Sequence, residues 1–298
     1  MVLRMTHTTA QSGSIPFRAG MPGARALAVR TEAVIRLVGV RKSFGEQVVL
    51  DGINLDIRPA ETTVVLGPSG CGKSVMLKHI VGLLHPDAGQ VWFEGRRVDT
   101  LNERQWREVR LRIGLLFQMG ALFDSMSVGQ NIEFPLIEHT TMTREERRRR
   151  IAAALETVDL RGIESKLPGQ LSGGQRKRVA LARAIVLEPR VVLYDEPTTG
   201  LDPVRSDGIN ELILKLKQEM GVTNIVVTHD LTSARKVADR VVMLLNGKVL
   251  ADGTYDEVAR IRDPRVQHFL LGQYVRGDDV AIPEQSDTSG HREPADTL

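Results

Sequence analysis

A single cysteine, Cys71, stands in 298 residues. One thiol excludes an intramolecular disulfide framework and fits a reducing compartment. No run of about 18 apolar residues occurs, so no segment reads as a membrane-spanning helix. The opening stretch also lacks an apolar core of signal-peptide length. Excess charge of one sign is missing as well. Forty Lys and Arg face 37 Asp and Glu, a net charge of +3, too small for nucleic acid to be expected as the main partner. If such a chain drives transport across a membrane, other chains must supply the path.

What is present suits a packed core, since 42% of residues are hydrophobic. Residues 1–32 are rich in Gly, Ser, Thr, Ala and Pro without periodicity and are expected to be a disordered leader. A polar tail is expected over 277–298. Between them strands and helices alternate. Strands are predicted over 33–40, 48–57, 62–66, 190–194, 224–228 and 240–245. A helix is predicted over 74–84, from the spacing of Met76, Leu77, Ile80, Val81 and Leu84 before Pro86. This alternation predicts an α/β fold with a mostly parallel sheet flanked by helices. Residues 121–186 read differently, as helices with charged faces. Their arginine-rich run places Glu145 and Arg149, and Glu146 and Arg150, four apart. A solvated helix face is the better reading of that run than a lipid-binding patch.

Two segments carry phosphate chemistry. Gly67-Pro68-Ser69-Gly70-Cys71-Gly72-Lys73-Ser74 fits G-x-x-x-x-G-K-[ST], between a predicted strand and a predicted helix. Glycines let backbone N–H groups wrap a phosphate, and the helix N-terminus adds positive potential. Lys73 is placed to reach the β- and γ-phosphates of ATP, and the Ser74 hydroxyl to ligate Mg²⁺. Cys71 lies beside that helix start, a setting that can lower a thiol pKa. Farther on, the apolar run 191–194 ends in Asp195 and Glu196, where parallel sheets bind ligands. Asp195 is expected to hold the Mg²⁺ and Glu196 to act as general base on the attacking water. His229 and Gln118 each follow an apolar strand; alone, each carries little information.

The stretch Leu171-Ser172-Gly173-Gly174-Gln175, followed by RKRVALARAIVLEP and the acidic strand, resembles the signature of the ABC ATPases. The order also resembles theirs: phosphate loop, Gln118, signature, Asp195-Glu196, a Gly200-Leu201-Asp202-Pro203 turn, then His229. The resemblance covers about 33–255. It implies a RecA-like core, an antiparallel β subdomain and an inserted helical signature subdomain at about 121–186, with 256–276 as a C-terminal extension. It also implies that Gln118 is a sensor of Mg²⁺ and water, that His229 is the switch histidine, and that Asp202 lies across a dimer interface. Phe44 takes the position that stacks on adenine, more often Tyr in the family; the ring face is kept. Ser172, Gly173, Gly174 and Gln175 would close on ATP held by a second copy, so a homodimer with two composite sites is implied.

The run Leu116 to Val128, with Asn131, Pro135-Leu136 and Glu138-His139-Thr140, looks like the ATPases of Mla-type and Mce-associated phospholipid transporters. So does Asp263 to Gly272. That resemblance implies a peripheral subunit on the cytoplasmic face of a bacterial inner membrane. Its partners would be an integral membrane permease, an Mce-type lipid-binding protein and a small STAS-type regulatory subunit. An importer ATPase for a small solute such as an amino acid shares every motif through His229 and stays open as an alternative. A soluble non-transport ABC protein fits less well. The chain has one phosphate loop, and Lys73 and Leu171 are only 98 positions apart, with no sustained heptads.

Overall fold

The computed structural model describes residues 33–273; the expected leader and polar tail lie outside the described residues. The elements run β1 (Ile35–Phe44), β2 (Gln47–Ile57), β3 (Thr62–Leu66), α1 (Lys73–Ile80), β4 (Ala88–Phe93), β5 (Arg96–Arg97), α2 (Glu103–Arg110) and β6 (Ile113–Leu116). Then follow α3 (Val128–His139), α4 (Arg144–Thr157), α5 (Gly173–Ile185), β7 (Val191–Asp195), α6 (Pro203–Met220) and β8 (Thr223–Thr228). The described chain closes with α7 (Leu231–Val237), β9 (Arg240–Leu245), β10 (Lys248–Gly253), α8 (Tyr255–Arg260) and α9 (Pro264–Leu270).

Six strands form a sheet in the order β10-β9-β3-β8-β7-β6, parallel except for the antiparallel edge strand β10. Its inner strands are apolar on both faces, as strands covered twice must be. Alternate residues feed two cores. Val64, Leu66, Val192, Tyr194 and Val226 face the cluster built with α3 to α9. Val65, Val191, Leu193, Ile225 and Val227 face the cluster shared with α1, α2 and a second, antiparallel sheet of order β2-β1-β4-β5. The architecture is therefore the expected α/β one, with the parallel sheet as its middle layer.

Departures from the sequence reading have local causes. The first strand continues past Val40 to Phe44, because register shifts after Leu37 and Val40 carry the pairing with β2 through a break in alternation. Helix α1 stops at Ile80 rather than at residue 84. Gly82 adopts φ +66°, and Leu83 N–H bonds back to Lys78 O at 2.8 Å, a glycine-type helix stop. In α4 the Glu145–Arg149 pair forms on the surface at 3.4 Å. Glu146, however, serves the helix cap, accepting from Thr143 N–H and Oγ1, and Arg150 reaches Val186 O at 2.9 Å and Glu188.

Gly82 makes a second demand. A Cβ there would overlap the indole of Trp106, which is 1% exposed. Gly82→Ala combines this overlap with a left-handed backbone, and it is expected to destabilise the protein by about 2–4 kcal/mol. An unshifted urea-unfolding midpoint would show that the overlap is relieved at no cost.

Candidate nucleotide site

The strand β3 delivers the loop 67–72 to the start of α1, and β7 and β8 end beside it because the three strands are parallel neighbours. Gly67 is buried against the neighbouring strand, where a Cβ would collide with the Leu244 carbonyl; no residue with a side chain fits. Lys73, 6% exposed, folds back over the loop. Its Nζ donates to Gly67 O at 2.7 Å and Pro68 O at 2.8 Å, and lies 3.9 Å from Glu196 Oε1. Ser74 Oγ donates to Asp195 Oδ1 at 2.8 Å. Burial pushes the Asp195 carboxyl above its ordinary range, with the adjacent Glu196 charge acting in the same direction.

Glu196 is 9% exposed and adopts φ +49°. Its carboxylate lies 2.9 Å from His229 Nδ1 and accepts from Thr199 Oγ1 at 3.2 Å and Thr228 Oγ1 at 3.4 Å. Neither threonine was singled out from sequence: a hydroxyl after an apolar strand is too common to carry a signal. Phe44, Ser69, Gly70, Gly72, Lys73, Ser74, Gln118, Glu196 and His229 line one pocket of ≈ 380 Å³, joined by Val49 and Val75. Five separate segments thus converge there. Gln118 is exposed and Phe44 is 48% exposed, so both side chains are accessible at the pocket.

Cys71 departs from expectation. The thiol is 8% exposed and turned into the loop, and burial outweighs the helix start and Lys73 to push its pKa up. It does not line the pocket.

The signature residues sit elsewhere. Ser172 is exposed and caps α5: its Oγ accepts from Gln175 N–H at 3.3 Å, and Gln175 Oε1 accepts from Ser172 N–H at 3.0 Å. Gln175 therefore holds the helix start. Gly173 and Gly174 lie beside Leu201 and Arg205 of their own chain, next to the exposed Asp202 that caps α6. None of Ser172, Gly173, Gly174, Gln175 or Asp202 lines the phosphate-loop pocket.

A phosphate cradle, a paired Asp and Glu at a strand end and a histidine on the same carboxylate define a nucleotide-hydrolysing site of the phosphate-loop class. Comparison with known proteins agrees. The family model described as "ABC transporter" matches residues 50–199. A Mycobacterium leprae protein described as a probable ribonucleotide transport ATP-binding protein, mkl, is 39% identical over 89% of this chain and 76% of its own length. The Haemophilus influenzae intermembrane phospholipid transport ATP-binding protein MlaF is 41% identical over 77% of this chain and 87% of its own. The ATP-binding cassette MJ0796, solved as a post-hydrolysis dimer with ADP and Pi, superimposes with a TM-score of 0.69 at 36% identity, covering 74% of this chain and 98% of that one. The chain belongs to the ABC transporter family, as an ATP-binding ATPase subunit.

Proposed function

We propose that this chain is one half of a head-to-tail ATPase dimer that powers phospholipid movement through a separate membrane permease. The observation that carries the dimer is the separation just described: one chain holds a phosphate-loop pocket and, apart from it, an exposed signature serine at a helix start. Two copies then make two complete sites, each with one chain's loop and the other's Ser172, Gly173 and Gly174 N–H groups. Asp202, exposed beside the signature, faces the same interface. The dimeric state of the MJ0796 cassette supports this reading.

In each site adenine stacks on Phe44, and Lys73 exchanges its loop carbonyls for the β- and γ-phosphates. Ser74, which lines the pocket, and its partner Asp195 offer hard oxygen donors 2.8 Å apart, a donor set that fits Mg²⁺. Gln118 lines the same pocket as Ser74. When bound, the cation supplies charge neutralisation on the phosphates. Glu196, steadied by Thr199, Thr228 and His229, takes the proton from the attacking water. His229 holds the Glu196 carboxylate and faces the γ-phosphate.

The permease is placed in a groove of ≈ 670 Å³ next to the segment after Gln118. Phe117, Phe123 and Phe134 line it, each about two-fifths exposed. Phe123 stacks edge-on against Phe134 at 5.3 Å and lies under the Arg183 guanidinium at 5.6 Å. Leu122 and Met126 are half-buried and Asp124 is exposed, so Phe123 is the anchor of that run. We place the helical lobe at about 121–186 within a 33–255 ATPase domain, and 256–276 as an extension whose Val258 and Val266 are buried in the main core.

Phospholipid as cargo is supported by the relative named for intermembrane phospholipid transport; a cytoplasmic position on a bacterial inner membrane and Mce-type and STAS-type partners rest on the sequence resemblance of 116–140 and 263–272. The relative named for ribonucleotide transport favours a second cargo. Reconstitution with the co-purifying permease decides: ATP-driven movement of labelled phospholipid is expected, and a complex that moves nucleotides but never lipid would end the lipid assignment. In that system Phe123→Ala is expected to weaken permease binding by about 1–3 kcal/mol with the basal ATPase nearly intact. Loss of both together would make Phe123 a core residue.

A further inference from the structure

Lys177 lies on α5 in line with the buried residues Gly174, Leu181 and Ile185, and is 7% exposed. A lysine at that depth ordinarily meets a carboxylate. This one meets backbone. Its Nζ donates to three carbonyls, of Glu196 at 3.2 Å, Pro197 at 2.6 Å and Thr199 at 2.8 Å, one for each ammonium N–H. Burial pulls its pKa down to about 8, against the opposing pull of the Glu196 carboxylate. The three carbonyls belong to the turn that leaves β7. That turn holds Glu196 in a left-handed conformation, costly for a residue with a side chain. Its own backbone bonds are long, 3.3 Å from Thr199 N–H to Glu196 O and 3.2 Å from Leu201 N–H to Thr198 O.

We propose that Lys177 is a positioning residue for hydrolysis: its ammonium fixes the turn that aims Glu196 and ties that turn to the helix beginning at Ser172. Lys177 acts through Glu196, so the inference rests on Glu196 serving as the base. A neutral amide has two donors for three carbonyls, and an apolar side chain has none. Loosening the turn lets the carboxylate wander, and a misplacement on the order of 1 Å costs up to about 10²-fold in rate. Contacts to the nucleotide are untouched.

The test is steady-state ATPase of the full chain carrying Lys177→Met, Lys177→Gln or, as control, Glu196→Gln. Lys177→Met is expected to lower kcat by about 10–100-fold with KM for ATP changed less than about threefold, and Lys177→Gln to recover part of the loss. In the unaltered protein kcat should also fall as pH rises through about 8, where the ammonium loses its proton; that limb should be absent from Lys177→Met. His229 and Lys73, which face Glu196 from the end of β8 and from the phosphate loop, are common to both proteins and cancel in the comparison. A folded Lys177→Met with unchanged kcat overturns the proposal. So do equal losses of kcat and ATP affinity with Lys177→Gln no better, which would mark a structural filler. If Lys177→Met does not fold, Lys177→Gln and its pH profile carry the same test. Undiminished turnover in Glu196→Gln would sink the base assignment instead. A dead Glu196→Gln beside an active Lys177→Met would sink only the role of Lys177.

Discussion

Glu196→Gln is expected to reduce ATP turnover by about 10²–10⁴-fold while ATP binding persists and closed dimers accumulate. The substitution keeps shape and removes basicity. The amide can still accept from Thr199 and Thr228 through its carbonyl oxygen, so the turn after β7 has no reason to move. Lys73 loses a charge 3.9 Å away but keeps both loop carbonyls. Binding and chemistry should therefore separate cleanly, with bound ATP trapped between two chains. Single-turnover hydrolysis, read beside a titration of ATP binding, checks this. Near-normal turnover would remove Glu196 from the base role and pass it to another group of the pocket.

The second large effect concerns the partner chain. Ser172→Arg places a bulky cation at the exposed start of α5 and is expected to abolish turnover in the homodimer, although it touches nothing in its own phosphate-loop pocket. Mixing Ser172→Arg with Glu196→Gln chains then distributes the lesions unequally. In a mixed dimer one ATP faces both defects, and the other faces an intact Glu196 and an intact Ser172. With random mixing half of the dimers are mixed and each keeps one sound site, so about a quarter of wild-type activity should return. Recovery well above both parents supports sites shared across the interface. Continued silence, together with nucleotide-dependent crosslinking between Ser172 of one chain and the phosphate loop of the other, would mean strictly coupled sites. Silence without crosslinking would refute the head-to-tail geometry.

Much of this was legible in the residues. The strands 62–66 and 240–245 stand out because both faces of the middle sheet are covered, which leaves continuous apolar runs. Spacing marks the phosphate loop, and its first glycine is demanded by the approach of Gly67 to Leu244 O. Gly82 is readable too: the apolar spacing through Leu84 predicts a longer α1, but a glycine stop outweighs periodicity. Lys177 left a fainter trace, a cation on the buried stripe of an amphipathic helix. Its partners are carbonyls, which any residue supplies, so no residue type announces them. The same holds for the left-handed Glu196, whose conformation is imposed by the surrounding bonds. For Cys71 the sequence shows the nearby helix start, which favours the thiolate, but not the depth of the thiol, which outweighs it.

The 13-residue α5 joins three parts of the molecule. Ser172 opens it, Lys177 grips the turn after β7 one and a half turns in, and Arg183 holds Gly120 O at 3.2 Å and Ala121 O at 2.8 Å near its far end. Past Gly174 the helix contains neither glycine nor proline, so nothing along it invites a bend. Over the roughly 16 Å between the first and last of these contacts, at about 1.5 Å per residue, the helix acts as a push-rod with almost no slack. Movement of the segment under Phe123 arrives at the signature end and at the turn behind Glu196 together. With a permease docked at Phe123 as proposed, timing between the membrane side and the hydrolytic side is then set by the stiffness of a single helix.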